Sequence, residues 1–346
     1  MWAMHPGRVR AIDYHTGGEP FRIVPEPPVA IEGATVAERR VLAAGDEQVD
    51  GLRRLLCFEP RGHADMYGGF LVPPDDDGAH LGVLFWHKDG FSTACGHGTI
   101  ALGAWAVREG RVQAPDDGET DVVVDVPSGR VTARVHTAGG RVTAVDFVSV
   151  PSFVLVDDVV VPTSLGPLHV AVSFGGAIYA QVDAAAAGLT VTPDRHLELI
   201  ALGREVKQAL EGTAYSRHPT DDRLGGVYGT ILYEDLGDAP QGRHQRNVTI
   251  FADGELDRSP CGSGTAARLA TLSAAGEVAD GDTLLHDSII GSRFVARVTG
   301  TATVAGAGGD PVPAVVPTIT GVAYPTGEHV FETDPDDDLV PGFVLR

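Results

Sequence analysis

Cys95-Gly96-His97-Gly98-Thr99 opens a run that ends at Gly110, and Cys261-Gly262-Ser263-Gly264-Thr265 opens a second that ends at Gly276. Both runs are 16 residues long (95–110 and 261–276), and the two cysteines lie 166 positions apart in a chain of 346. That separation is close to half the chain and implies a duplicated half-site. After Cys95 come Ile100, Ala101, Leu102, Ala104, Trp105, Ala106 and Val107. After Cys261 come Ala266, Ala267, Leu269, Ala270, Leu272, Ala274 and Ala275, with only Arg268 charged. A helix apolar nearly all round is a core helix, and Gly110 and Gly276 stand where a C-terminal glycine belongs.

The cysteines therefore sit at helix N-termini, where unpaired N–H groups and the helix dipole favour negative charge and raise the thiolate fraction of a thiol. The flanking glycines let the backbone approach a ligand and turn several amides toward it, so an anion such as a substrate carboxylate would bind there. Two such mouths facing one another would let a thiolate remove a proton from one face of a stereocentre while a thiol delivers one to the other. His97, two residues after Cys95, and Asp257, four before Cys261, are candidate bases beside each thiol. A lone buried Cys is usually a small hydrophobe and a lone His or Asp a packing or cap residue. The repetition of the whole unit argues against that reading here.

These motifs resemble the proline racemase family, which includes hydroxyproline 2-epimerases and trans-3-hydroxy-L-proline dehydratases. The resemblance covers essentially the whole chain. It also includes Asp13-Tyr14-His15-Thr16-Gly17-Gly18-Glu19-Pro20, Glu59-Pro60-Arg61-Gly62-His63-Ala64-Asp65-Met66-Tyr67-Gly68-Gly69 and Asp257-Arg258-Ser259-Pro260-Cys261. It implies Cys95 and Cys261 as paired acid/base residues with His97 and Asp257 in support. It places carboxylate-binding amides on Gly96, His97, Gly262 and Ser263, and Asp257 on the side of the ring nitrogen. Tyr67 and Phe251 match aromatic positions that pack on the substrate ring or are ordinary core, and His218 is a weaker pocket candidate. The implied chemistry needs no cofactor and no metal.

Wording such as Val83-Leu84-Phe85-Trp86-His87-Lys88-Asp89-Gly90-Phe91-Ser92 is similar to the 3-hydroxyproline dehydratases, which usually carry threonine where this chain has Cys261. A dehydratase needs one base, whereas an epimerase needs a proton donor on the second face as well. Cys261 therefore favours a racemase or 2-epimerase of proline or hydroxyproline, with a trans-3-hydroxy-L-proline dehydratase using Cys95 as base the alternative. A reversible disulfide between the two cysteines is a third reading, from the redox class.

The rest of the chain sets bounds. A length of 346 residues suits two domains. A formal charge of −21 with a pI near 4.8 argues against nucleic-acid binding. The runs Asp75–Asp77, Asp157-Asp158, Asp221-Asp222 and Asp336–Asp338 read as solvated loops. Three cysteines without a Cys-x-x-Cys arrangement fit neither a disulfide scaffold nor a zinc ribbon, and Cys57 reads as core. No apolar run is long enough for a membrane span and no signal-like stretch opens the sequence, so free thiols in a reducing cytoplasm are expected. The resemblance implies a small imino acid as the partner; a homodimer is compatible with the sequence but not required by it.

The repeat continues outward. Residues 9–24 and 169–182 each read as strand, Gly-Gly turn and strand, followed by amphipathic helical stretches near 35–56 and 195–212. Alternating strands follow both cysteine units, at 121–126, 131–136, 294–298 and 314–318, and 305–311 reads as a surface loop. The resemblance implies an α/β fold of two pseudo-symmetric domains, each a barrel-like sheet around a central apolar helix, with the active site in the cleft between them. The first domain is expected over 1–163 plus 324–346 and the second over 164–323, with the boundary at Pro162-Thr163-Ser164-Leu165-Gly166-Pro167.

Overall fold

The computed structural model describes residues 8–345. The chain folds into two compact units, Met1–Thr143 with Val322–Arg346, and Ala144–Gly321. The fold is mixed α/β, rich in strands and poor in helices. The first unit contains β1 (Arg8–Thr16), β2 (Glu19–Val24), α1 (Val36–Gly45), α2 (Glu47–Cys57), β3 (Gly68–Val72), β4 (Leu81–His87), β5 (Gly90–Phe91), α3 (Gly96–Arg108), β6 (Gly118–Val126) and β7 (Gly129–Ala138). Strand β8 (Arg141–Val148) carries the chain onward. The second unit holds β9 (Phe153–Thr163), β10 (Gly166–Phe174), β11 (Ile178–Asp183), α4 (His196–Leu210), β12 (Val227–Ala239), β13 (Gly242–Phe251), β14 (Glu255–Leu256), α5 (Gly262–Ala274), β15 (Thr283–Ser288), β16 (Arg293–Ala305) and β17 (Pro311–Gly321). β18 (Ala323–Glu332) returns to the first unit and pairs with β1.

In the first unit the ladders run β1–β2 antiparallel, β2–β3 parallel, β3–β4 antiparallel, β4–β6 parallel and β6–β7 antiparallel. In the second, β10–β11 is antiparallel, β11–β12 parallel, β12–β13 antiparallel, β13–β15 parallel and β15–β16 antiparallel. The second series continues through β17 to β8, and β9 lies beyond β10. Ser152, just ahead of β9, bridges Val315 in β17, so this sheet curls back on itself.

Helix α3 is buried from Gly96 to Ala106 and packs on β7, β1, β18, β2 and β6. Helix α5 is buried over most of its length against β17, β10, β9, β16 and β11. Full burial of side chains such as Ile100, Leu102 and Leu269 contributes roughly 1.5–3 kcal/mol each. Arg268 is the exception to the apolar pattern. Its guanidinium is accommodated by the Gln245 and Gln181 side-chain oxygens at 3.0 and 3.1 Å and lies 3.6 Å above the Tyr233 ring. Both helices end on a left-handed glycine, Gly110 at φ 67° and Gly276 at φ 72°. Arg111 N–H donates to the Ala106 carbonyl and Glu277 N–H to that of Leu272, the six-to-one bond of a Schellman end.

The fold departs from the sequence expectations at three places, one being Asp157-Asp158, which are exposed within strand β9 and not in a loop. The stretch at 35–56 is two helices, because Asp46 ends α1 and its side chain caps α2 by accepting from the Gln48 and Val49 amides. The Pro162–Pro167 stretch is the turn of the β9–β10 hairpin, with Thr163 opposite Gly166, and the compact units divide at Thr143/Ala144. Proline and glycine serve a tight turn as readily as a linker, so composition alone does not separate the two. Residues 306–310 do form the turn between β16 and β17, and Cys57 is buried with its Sγ 3.4 Å from the Met66 carbonyl. No described helix is long and apolar enough to cross a membrane.

Candidate active site

In the first unit Cys95 is the N-cap of α3, and its Sγ accepts the Gly98 N–H at 3.2 Å. This contact depends on Gly98. A Cβ there would stand 2.7 Å from the sulfur and 2.5 Å from Phe21 Cε2, so only glycine lets the thiol fold over the helix end. His97 Nδ1 lies 3.4 Å from Cys95 Sγ, close enough for the imidazole to exchange a proton with the thiol. The imidazole is gripped from two sides, by Tyr67 with ring centroids 5.0 Å apart and by Phe21 at 5.9 Å, both edge-on. Tyr67 is itself fixed by a 2.5 Å hydrogen bond to Ser92. Thr16, the last residue of β1, donates its hydroxyl to the His97 carbonyl at 2.9 Å. The Gly96 and His97 amides belong to the first helical turn, which offers them no acceptor within the helix.

In the second unit Cys261 occupies the same place ahead of α5. A Cβ on Gly264 would lie 2.8 Å from Cys261 Sγ, which repeats the requirement at Gly98. Asp257 is buried and accepts the Ser259 N–H at 2.7 Å, and Ser259 Oγ in turn accepts the Cys261 N–H at 3.1 Å. Cys261 Sγ donates toward Tyr179 Oη at 3.8 Å, and Tyr179 is 2.7 Å from Ser263 Oγ. Burial raises the Asp257 carboxyl to about 6. Burial, followed by the negative charge of Asp257, pushes the Cys261 thiol well above its ordinary range. The sequence alone suggests that Asp257 promotes ionisation of its neighbour. In the folded resting state burial first, and the Asp257 charge second, keep the proton on sulfur, with the Asp257 carboxyl as the nearby ionisable group.

The remaining candidates fall unevenly. Tyr67 packs against His97, so its ring supports the imidazole. Phe251 stacks on Tyr228 at 5.6 Å, and Tyr228 meets Tyr179 edge-on at 5.6 Å, so Phe251 reaches the thiol through two other rings. His218 sits in the angle of Phe153 and Phe174, at 5.7 and 4.7 Å, and burial lowers its pKa. The residue after Phe174 is Gly175, where a Cβ would come within 2.4 Å of the Ser263 carbonyl, so His218 flanks the loop lying on the first turn of α5. Sequence reasoning missed Thr16, Ser259 and Tyr179. The first two stand inside motifs already singled out, whereas Tyr179 carries no local signal and is brought in by the β11–β12 pairing.

Residues 11–344 match the proline racemase family model. The chain belongs to the proline racemase family. It is 40% identical over 341 residues to the trans-3-hydroxy-L-proline dehydratase of Colwellia psychrerythraea, covering 98% of this chain and 93% of that one. It is 42% identical over 338 residues to the 3-hydroxyproline 2-epimerase of Burkholderia multivorans, covering 97% of each. A hydroxyproline epimerase from Agrobacterium vitis, solved with bound trans-4-hydroxy-L-proline, superimposes with a TM-score of 0.90 at 32% identity, over 99% of this chain and 97% of that one. The family's racemases and epimerases are isomerases; the dehydratase among these relatives is a hydro-lyase.

Proposed function

We propose that this protein is a cofactor-independent 2-epimerase or racemase of proline or hydroxyproline, and that Cys95 and Cys261 serve opposite faces of Cα. The observation that carries this is the second cysteine with its own apparatus. Cys261 stands at the N-cap position of a buried helix above a glycine, the place Cys95 holds in the first unit, and each sulfur has an ionisable neighbour, His97 or Asp257. The matching order of ladders in the two units supports reading them as pseudo-symmetric copies, each with its helix at the centre of a barrel-like sheet. The substrate carboxylate would take the first-turn amides of Gly96, His97, Gly262 and Ser263.

In one direction the Cys95 thiolate, with its proton held on His97, removes the α-proton. The carbanion beside the carboxylate gains charge that the amides receive. Cys261 then delivers its thiol proton to the other face, and in reverse Cys261 passes its own proton to Asp257 before taking the one at Cα. No electrons are transferred, which is why free thiols suffice; such thiols suit a reducing compartment, the cytoplasm.

The name of the Colwellia relative favours a second reading, elimination of water from trans-3-hydroxy-L-proline with Cys95 as base. Incubation with L-proline, trans-4-hydroxy-L-proline and trans-3-hydroxy-L-proline in deuterium oxide separates the two. Epimerisation places deuterium at Cα with inverted configuration and retains any hydroxyl. Rapid formation of a cyclic imine from the 3-hydroxy substrate, with no inversion of any of the three, would establish the lyase instead.

A further inference from the structure

The two thiols are set by different backbones. Cys95 has φ −156°, ordinary extended geometry. Cys261 has φ 62° and ψ 103°, and among the described residues only Ala252 and Cys261 combine a side chain with positive φ. L-residues disfavour this region, and they persist in it where the surroundings over-determine the conformation. Here the surroundings converge on one atom, the carbonyl oxygen of Pro260. It accepts from Asn247 Nδ2 at 3.1 Å and from Thr265 Oγ1 at 3.1 Å. Thr265 Oγ1 is also 2.8 Å from His286 Nδ1, and all three side chains are fully buried.

Proton counting fixes the direction of this chain. The Thr265 hydroxyl has a single hydrogen, so if it donates to Pro260 the bond to His286 must come from Nδ1–H. Burial drives His286 down to about 3, which keeps the imidazole neutral with one N–H, and its Nε2 finds no partner among the described residues, as expected of the nitrogen without hydrogen. The equivalent threonine in the first unit does something else. Thr99 Oγ1 donates to the carbonyl of Cys95 itself at 2.8 Å, the ordinary back-bond to the residue four earlier. The same motif position has thus been redirected, on the strained side only, to the peptide that precedes the cysteine.

We propose that Thr265, oriented by His286 and joined by Asn247, is a positioning residue that rotates the Pro260–Cys261 peptide and so aims the Cys261 thiol at its face of the substrate. The clamp draws on α5, β13 and β15, the last two being parallel neighbours, so it fixes the thiol against the frame of the unit. The proposal rests on the two-thiol reading for its functional meaning. Its geometric content stands apart from that reading.

The test uses the full-length enzyme with Thr265→Val, Thr265→Ser, and His286→Leu as a second lesion should Thr265→Val fail to fold. In deuterium oxide, the enantiomer deprotonated by Cys95 exchanges its α-proton without needing Cys261, whereas inversion needs both. Misaiming Cys261 should raise the ratio of exchange to inversion for that enantiomer by about tenfold or more, with KM nearly unchanged, and Thr265→Ser should restore it. A loss of folded protein would lower both rates together and leave the ratio fixed, and that result overturns the proposal. A second readout needs no turnover. Peptide mapping after limited iodoacetamide treatment should show Cys261 labelled several-fold faster relative to Cys95 in the Val or Leu variant, because the thiol swings out of its buried place beside Asp257. An unchanged labelling ratio also overturns the proposal. If the unmodified enzyme inverts no imino acid, the functional reading falls and the labelling ratio alone decides the clamp.

Discussion

Among individual residues, burial sets the protonation of the groups that matter. Asp257 is raised to about 6, so its contribution to stability is full below its unfolded value and is lost as pH rises through 6. His87 and His286 are both lowered to about 3 by burial, so their contribution is present above pH 6.5 and is lost as pH falls toward 3. Two histidines oppose one carboxyl, and a tenfold change in proton affinity corresponds to about 1.4 kcal/mol. The stability read from urea midpoints should therefore fall from pH 7 to pH 5 by roughly 2 kcal/mol, and should fall more steeply in Asp257→Asn, which lacks the opposing carboxyl. A midpoint that holds steady or rises toward pH 5 would mean that these histidines are not buried neutral.

Among the secondary-structure elements, the helix mouth is the most legible part of the chain. A cysteine between glycines, a run of apolar residues and a closing glycine determine where a helix starts, that it is buried and where it stops, and Cys95, Cys261, Gly110 and Gly276 all occupy those places. The second glycine of each motif gives a sharp prediction. In Gly264→Ala the new Cβ would meet Cys261 Sγ at 2.8 Å, Cys261 Cβ at 3.1 Å and Ile231 Cδ1 at 3.3 Å; rotation relieves the first and third, the second needs only a small shift of the cysteine, and alanine gains about 1 kcal/mol of helix propensity. The thermal midpoint should move by only a few degrees, whereas kcat should drop on the order of a hundredfold because the sulfur is displaced. Gly98→Ala also strikes the Phe21 ring at 2.5 Å and should lose stability as well as activity. What the sequence conceals in these elements depends on register. Tyr179 reaches Ser263 across 84 residues, and the strain at Cys261 has no local sequence signal, since it is imposed by Asn247, Thr265 and His286 from two strands and a helix.

Across the full chain, the repeat spacing implies two halves, and the fold divides into two units, with β18 returning to the first. The dividing residue is illegible because the β9–β10 turn carries prolines and a glycine that mimic a linker, while the passage at Thr143 lies inside β8 and is marked by no change of composition. The two thiols have different neighbours: Cys95 has His97 Nδ1 at 3.4 Å, and Cys261, whose thiol pKa is raised chiefly by burial, has the Asp257 carboxyl. On the proposed mechanism inversion requires both thiols to act on one substrate, and the decisive experiment is Cys261→Ser in deuterium oxide. The variant should lose inversion by a factor of at least about a hundred while still exchanging the α-proton of one enantiomer with retention, and Cys95→Ser should do the same for the opposite enantiomer. Inversion by Cys261→Ser at the rate of the unmodified enzyme would contradict two-thiol catalysis.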